Sequence, residues 1–137
     1  MKIILFLAAC LAGHASDFDA RALLVTEFHD DGEVKHGWGL AARHWCGQYG
    51  ADLQLLVLTP RDSIIDRSDL FAARRWEYGS VFAGWGYDRE DREHGPSLGA
   101  SAWYPVSGWL GEISARSQHD LGADQVTVLT IGIGRKF

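Results

Sequence analysis

The last nine residues of the chain read Leu129-Thr130-Ile131-Gly132-Ile133-Gly134-Arg135-Lys136-Phe137. Large apolar side chains occupy every second position from Leu129 to Ile133, and glycine or threonine lies between them. A period of two is that of a β-strand whose two faces meet different surroundings. Because this period recurs over most of the chain, the sequence predicts an all-β fold.

Turn-forming residues divide the alternating sequence into eight predicted strands. The predicted strands cover residues 20–28, 36–46, 51–59, 70–78, 80–87, 97–106, 109–118 and 125–137. On most of them one face carries aliphatic and aromatic residues, and the other face carries glycine, serine and charged residues. A soluble barrel would turn the apolar face inward, whereas a membrane barrel turns it outward.

The predicted connections alternate in length. Longer polar connections follow the odd-numbered strands, at residues 29–35, 60–69, 88–96 and 119–124. Short turns follow the even-numbered strands, at residues 47–50, Gly79 and residues 107–108. Loops at one end and tight turns at the other are typical of a membrane barrel. The sequence therefore predicts an eight-stranded antiparallel up-and-down transmembrane β-barrel.

The N-terminus predicts export. Lys2, a short apolar run at residues 3–12 and the small residues Gly13 and Ala15 form a secretory signal, with cleavage before Ser16. An alternative is a lipoprotein signal in which Cys10 becomes the lipidated first residue. Residues 16–137 then form a single β-barrel domain, long enough for eight crossings of about ten residues each but not for twelve.

Composition excludes several classes of protein. The formal net charge of −5 argues against a nucleic-acid partner, which a basic patch would normally announce. The six histidines show no metal-ligand spacing, and no glycine-rich phosphate or cofactor motif is present. We therefore expect no metal and no cofactor. We also expect the protein to be a monomer.

The inner face of the predicted strands carries the candidate lumen charge cluster. It consists of Glu27, Arg43, Asp52, Glu112 and Arg116, with Gln118 beside them. Charges of both signs are present, and they must pair in a low-dielectric interior. We interpret the cluster as a structural plug of salt bridges; the alternatives are a polar conduit or a catalytic cluster.

Aromatic residues near the strand ends predict belts at the two membrane interfaces. These residues are Trp38, Trp45, Tyr78, Tyr87, Tyr104 and Trp109. The pair Arg74-Arg75 lies within a predicted strand, so one of the two must face lipid and must lie near an interface, where the penalty is small.

Mixed-charge connections are the candidate binding surface. Arg61, Arg67, Arg89 and Arg92 lie in the predicted loops among several carboxylates. At the outer leaflet, arginines in these positions could contact the phosphates of lipopolysaccharide. The alternative is an ordinary solvated surface that binds no ligand.

The C-terminal stretch resembles the terminal strand of bacterial outer-membrane β-barrels. Phe137 matches the terminal aromatic residue, Leu129, Ile131 and Ile133 match the alternating apolar positions, and Gly132 matches the glycine. Arg135 stands where that family usually has an aromatic or aliphatic residue. The resemblance is to small eight-stranded barrels such as the OmpA transmembrane domain, OmpX and the opacity-type proteins.

This resemblance implies a location in the outer membrane of a Gram-negative bacterium, among outer-membrane lipid and lipopolysaccharide. It also implies insertion by the barrel-assembly machinery through the Phe137 strand, with both termini in the periplasm. The implied role is structural or surface-interacting, without enzymatic activity.

Two other functions remain open from the sequence. A soluble periplasmic or secreted β-barrel could bind a small apolar ligand in its interior. A membrane-embedded lipid-modifying hydrolase could use His44 with Ser101 or Ser114 and Glu112. The segment Gln118-His119-Asp120 lacks the serine two residues after histidine that the lipid A deacylases of this architecture carry.

Overall fold

The computed structural model describes residues 17–59, 65–89, 92–121 and 125–137, so the predicted signal and its alternative processing at Cys10 lie outside the described residues. The strands are β1 (Asp17–His29), β2 (Val34–Cys46), β3 (Tyr49–Thr59), β4 (Arg67–Trp76), β5 (Gly79–Asp88), β6 (His94–Val106), β7 (Trp109–His119) and β8 (Gln125–Lys136). Within the described residues, no helix is long and apolar enough to cross a membrane.

Every strand pairs antiparallel with its neighbours in sequence, and β8 pairs with β1 to close the barrel. The predicted eight-stranded antiparallel up-and-down barrel is therefore confirmed. Closure matters physically because it leaves no strand edge with unpaired backbone groups, which hydrocarbon would not tolerate.

The two ends of the barrel differ. Two-residue turns at 47–48, 77–78 and 107–108 lie at one end, together with Asp17 and Phe137, and we call this the turn end. The other four connections follow β1, β3, β5 and β7, and the ends of the strands that they join form the opposite end, which we call the loop end. In the turn between β6 and β7, Ser107 and Gly108 both have positive φ, of 48° and 84°, as tight hairpins require.

Several predicted boundaries are wrong because the strands are longer than expected. His29 and His94 were expected in loops but lie in β1 and β6. Gly79 was expected to form a turn but opens β5. Backbone pairing continues where polar side chains begin, since β-hydrogen bonds do not depend on side-chain polarity. The connections at the loop end are correspondingly shorter than expected.

Polarity is inverted relative to a soluble protein. Leu24 and Leu98 on the outer wall are 67% and 66% exposed, whereas Glu27 and Arg43 in the interior are 0% and 1% exposed. Exposed aliphatic and aromatic residues recur on all eight strands. A continuous apolar wall of this kind is not found on soluble monomers, which bury such residues.

The aromatic prediction is wrong for Trp45. Trp45 is 2% exposed and points into the barrel, because it shares the inward parity of Arg43 on β2. Trp38, Tyr78, Tyr87, Tyr104 and Trp109 are exposed. Among the paired arginines, Arg74 faces outward near the turn end, with its guanidinium 5.9 Å from the Tyr49 ring.

Candidate functional site: the polar lumen

The interior at the turn end holds one group of charges, which we call the turn-end cluster. Its members are Asp19, Arg21, Arg43, Asp52 and Glu112, all at most 6% exposed. Arg21 lies at the centre and donates hydrogen bonds to Asp52 and Glu112, while its Nε lies 3.1 Å from Asp19 Oδ1. Arg43 Nη2 donates to Glu112 Oε2 at 2.6 Å. Two guanidinium groups thus neutralise most of the charge of three carboxylates.

Two neighbouring tryptophan rings pack against this cluster. The guanidinium carbon of Arg43 lies 5.0 Å from the Trp45 ring and 5.1 Å from the Trp103 ring. The two rings are 6.0 Å apart in an edge-on arrangement. Trp45 Nε1 also donates to Asp19 Oδ2 at 3.3 Å. Cation–π contacts and this hydrogen bond therefore bring aromatic surface against the ion pairs inside the lumen.

A second group of charges, the loop-end cluster, lies nearer the loops. Its central members are Glu27, Arg67, Asp69, Arg116 and Gln118. Arg67 Nε lies 3.2 Å from Glu27 Oε1, and Arg67 Nη1 donates to Gln118 Oε1 at 3.3 Å. Arg116 donates to Asp69. The cluster is fully enclosed by the barrel wall.

Further carboxylates surround Arg67 on the side of the loops. Asp88 and Asp120 lie 3.9 Å and 3.8 Å from its Nη2. The amide of Gln118 donates to Asp120. Arg67 therefore binds acidic residues from β1, β5 and the segment after β7, which ties distant parts of the barrel together.

Gln54 on β3 connects the two clusters. Its Nε2 donates to Asp52 Oδ2 at 3.3 Å, and its Oε1 accepts from Arg116 Nη1 at 2.7 Å. Asp52 belongs to the turn-end cluster and Arg116 to the loop-end cluster. A continuous polar network consequently runs along the barrel axis.

Apolar side chains also face the lumen. One packed group contains Leu23, Val25, Ala41, Leu56, Leu58, Val126 and Val128. On the other side Phe71 and Phe82 pack edge to face, with ring centroids 5.0 Å apart, and Arg116 lies 5.1 Å above Phe71. Two packed apolar groups therefore lie inside the barrel beside the ion pairs.

The structure places all of the predicted lumen residues inside the barrel but divides them between the clusters. Arg43, Asp52 and Glu112 lie in the turn-end cluster, whereas Glu27 and Arg116 lie in the loop-end cluster with Gln118. Sequence reasoning missed the inward charges Asp19, Arg21, Arg67 and Asp69. The alternation along β1 offered a signal for Asp19 and Arg21. Both lie an even number of residues from Glu27, so their side chains point to the same face of the strand.

The prediction made for Arg67 is wrong. This residue was expected in a loop as a lipopolysaccharide contact, but it is 0% exposed and forms the centre of the loop-end cluster. The reason is that β4 begins at Arg67, where the backbone pairs with Asp88 and Leu56 and turns the side chain inward. Arg89 and Arg92 are exposed at the loop end. Arg61 lies outside the described residues.

The hypothetical hydrolase site is not assembled. His44 has the outward parity of β2, whereas Ser101, Ser114 and Glu112 face the interior. The two serines bind other hydroxyls, since Ser101 pairs with Ser80 and Ser114 pairs with Thr130. Nor do the described parts of the chain bring three His, Cys, Asp or Glu side chains together as a metal site.

A closed antiparallel barrel with an apolar outer wall and buried ion pairs in its lumen defines the class of small transmembrane β-barrels. No family model and no curated protein matches the sequence. Solved structures with a similar fold include the two that follow.

One is a de novo designed transmembrane β-barrel, with a TM-score of 0.58 and 18% identity over 87% of this chain and 95% of that chain. The other is Ail, the attachment invasion locus protein of Yersinia pestis, solved in complex with the heparin analogue sucrose octasulfate. Its TM-score is 0.55, with 14% identity over 89% of this chain and 97% of that chain. The chain therefore has the fold of the small eight-stranded outer-membrane barrels.

Proposed function

We propose that the chain is a small outer-membrane β-barrel protein of a Gram-negative bacterium, with a structural or surface-interacting role and no enzymatic activity. The observation that carries this proposal is the inverted polarity of the barrel. Leu24, Leu98 and Ile131 stand exposed on the outer wall, while thirteen charged side chains of the described residues are buried. A soluble ligand-binding barrel would need the reverse arrangement, with an apolar cavity in place of ion pairs.

The proposed orientation places the turn end in the periplasm and the loop end outside the cell. The terminal strand β8 supports it, because Leu129, Ile131, Ile133 and Phe137 all lie exposed on the outer wall while Gly132 faces inward. An assembly factor could therefore recognise the alternating side chains of this strand from outside the barrel. On this proposal the Phe137 strand is the signal for the barrel-assembly machinery.

The proposed role of the lumen is a closed structural plug. Arg21, Arg43, Arg67 and Arg116 each lie against at least one buried carboxylate, and apolar side chains occupy the space between the wall and the ion pairs. Removing one partner from such a network leaves an uncompensated buried charge. The charges thus fix the register of the wall from inside.

The proposed surface for lipopolysaccharide is at the loop end. Arg89 and Arg92 are exposed there, on the connection between β5 and β6, and can reach phosphates of the outer leaflet. Arg61 belongs to the same proposal by its position between β3 and β4. Neutralising Arg89 and Arg92 together is expected to lower the lipopolysaccharide that co-purifies with the barrel; an unchanged amount would remove this part of the proposal.

Fractionation of cells tests the main proposal. The full chain should appear in the outer-membrane fraction and should migrate differently on a gel before and after boiling, because folded barrels resist detergent until heated. Recovery in the periplasmic extract, with no change of migration on heating, would contradict the proposal and favour a soluble barrel.

A further inference from the structure

A shallow groove runs along the outer wall on β1 near the turn end. Its floor consists of alanines, because Ala20 and Ala22 on β1 lie beside Ala42 on β2. The cavity measures about 550 Å³. This volume falls within the range of roughly 300–1,000 Å³ that is typical of small-molecule pockets.

Larger side chains form the walls of the groove. In the row of paired residues at Ala22, Ile133 on β8 lies on one side and Leu40 on β2 lies on the other. In the row at Ala20, the neighbours are Arg135 on β8 and, beyond Ala42, Leu53 on β3. The groove is therefore shallow and apolar, and its lining extends across the outer wall from Trp109 on β7 to Leu53 on β3.

One end of the groove carries a positive charge. Arg135 interrupts the apolar outward row of β8, between Ile133 and Phe137, and lines the groove. Trp109 is its partner across the β7–β8 pair. In the described part of the chain, no carboxylate lies within ion-pair distance of the Arg135 guanidinium. An outward arginine near a membrane interface costs little, and it is available to an anion.

We propose that this groove binds one glycerophospholipid of the periplasmic leaflet. An acyl chain lies along the alanine floor between Ile133 and Leu40, and the lipid phosphate accepts hydrogen bonds from Arg135. A flexible and apolar occupant fits a shallow apolar groove, and an unpaired guanidinium at its interfacial end fits a phosphate. The proposal rests on the outer-membrane location proposed above.

Native mass spectrometry of the folded, detergent-solubilised full chain tests the proposal, with dioleoyl-phosphatidylglycerol added as the probe. The wild type is expected to retain one lipid. Arg135→Gln should weaken retention about tenfold, the effect of losing one charge-assisted hydrogen bond. Ala22→Leu should weaken it similarly, because leucine fills the groove.

The chain offers a matched control for each variant. Arg74→Gln removes another outward arginine near the turn end, and Ala115→Leu enlarges an outward alanine on β7 away from the groove. Both should retain the lipid as the wild type does. A shift in gel migration on heating verifies first that each variant is folded.

Three outcomes would overturn the inference. The first is an equal loss of bound lipid in Arg135→Gln and Arg74→Gln, and the second is full retention of the lipid by Ala22→Leu. The third is a dimer of the chain in place of the lipid adduct. Each leaves the outer-membrane proposal standing. Recovery of the chain as a soluble periplasmic protein would instead remove the outer-membrane location and this inference together.

Discussion

At the scale of single residues, Arg21 holds the greatest number of charged partners in the turn-end cluster. Its guanidinium contacts Asp19, Asp52 and Glu112, which belong to three different strands. Without it, three carboxylates at most 6% exposed would share the single guanidinium of Arg43. The side chain therefore contributes through charge balance as well as through packing.

Replacement of Arg21 by methionine is expected to lower the free energy of unfolding by about 3–5 kcal/mol, the cost of leaving a buried ion pair without one partner. Urea titration of the barrel in phospholipid vesicles measures this change. Arg74→Met is the control, because Arg74 is exposed on the outer wall and its removal should leave stability unchanged. Equal effects of the two variants would show that the buried network is not stabilising.

Gln54 tests the link between the two clusters. Gln54→Leu removes the hydrogen bonds to Asp52 and Arg116 and leaves their buried polar atoms without this partner. We expect a loss of about 1–3 kcal/mol in the same urea titration, smaller than for Arg21→Met because no charge is removed. A loss as large as that of Arg21→Met would mean that Gln54 organises both clusters.

At the scale of strands, close approach of neighbouring backbones makes glycine necessary at particular positions. A Cβ added at Gly84 on β5 would overlap the carbonyl oxygen of Leu70 on β4, and one added at Gly37 on β2 would overlap that of Val57 on β3. At Gly111 on β7 the same Cβ would lie 3.6 Å from Tyr104 O, an ordinary contact.

Gly84→Ala should therefore destabilise the barrel by about 1–3 kcal/mol through overpacking against backbone. Gly111→Ala should be close to neutral. The fraction of folded barrel at increasing urea, read from the heat-dependent gel shift, measures both. If both alanine variants retained wild-type stability, the backbones would separate more easily than the structure implies.

The number of strands and their faces could be predicted from the sequence, because alternation is a local property that each segment shows by itself. The residues at which the strands begin and end could not be predicted in this way. Arg67 and Asp69 looked like loop residues, and only pairing with β5 reveals that they continue a strand inward. The partners inside the lumen were also beyond local reasoning. Arg21 meets Glu112 because barrel closure and register bring them to the same height, although 91 residues separate them in sequence.

At the scale of the whole molecule, the alternation of the strands predicted which charged side chains face inward. It could not predict which of them lie together in one cluster. Arg43 and Arg116 both face inward, yet one belongs to the turn-end cluster and the other to the loop-end cluster. Their separation along the axis depends on how the strands are staggered around the closed barrel. The same stagger lets Gln54 reach both clusters, so the network is a property of the closed barrel and not of any one strand.

The continuous network and the apolar packing around it predict that the barrel does not conduct. Buried side chains lie in both halves of the lumen, with Arg43 against the Trp45 and Trp103 rings at the turn end and Arg67 among carboxylates at the loop end. In planar lipid bilayers the purified full chain should give no stepwise current above that of protein-free membranes. The insertion control is the heat-dependent gel shift of protein recovered from vesicles of the same lipid. Reproducible current steps from inserted barrel would mean that the ion pairs separate in the membrane, and the lumen would then be a conduit instead of a plug.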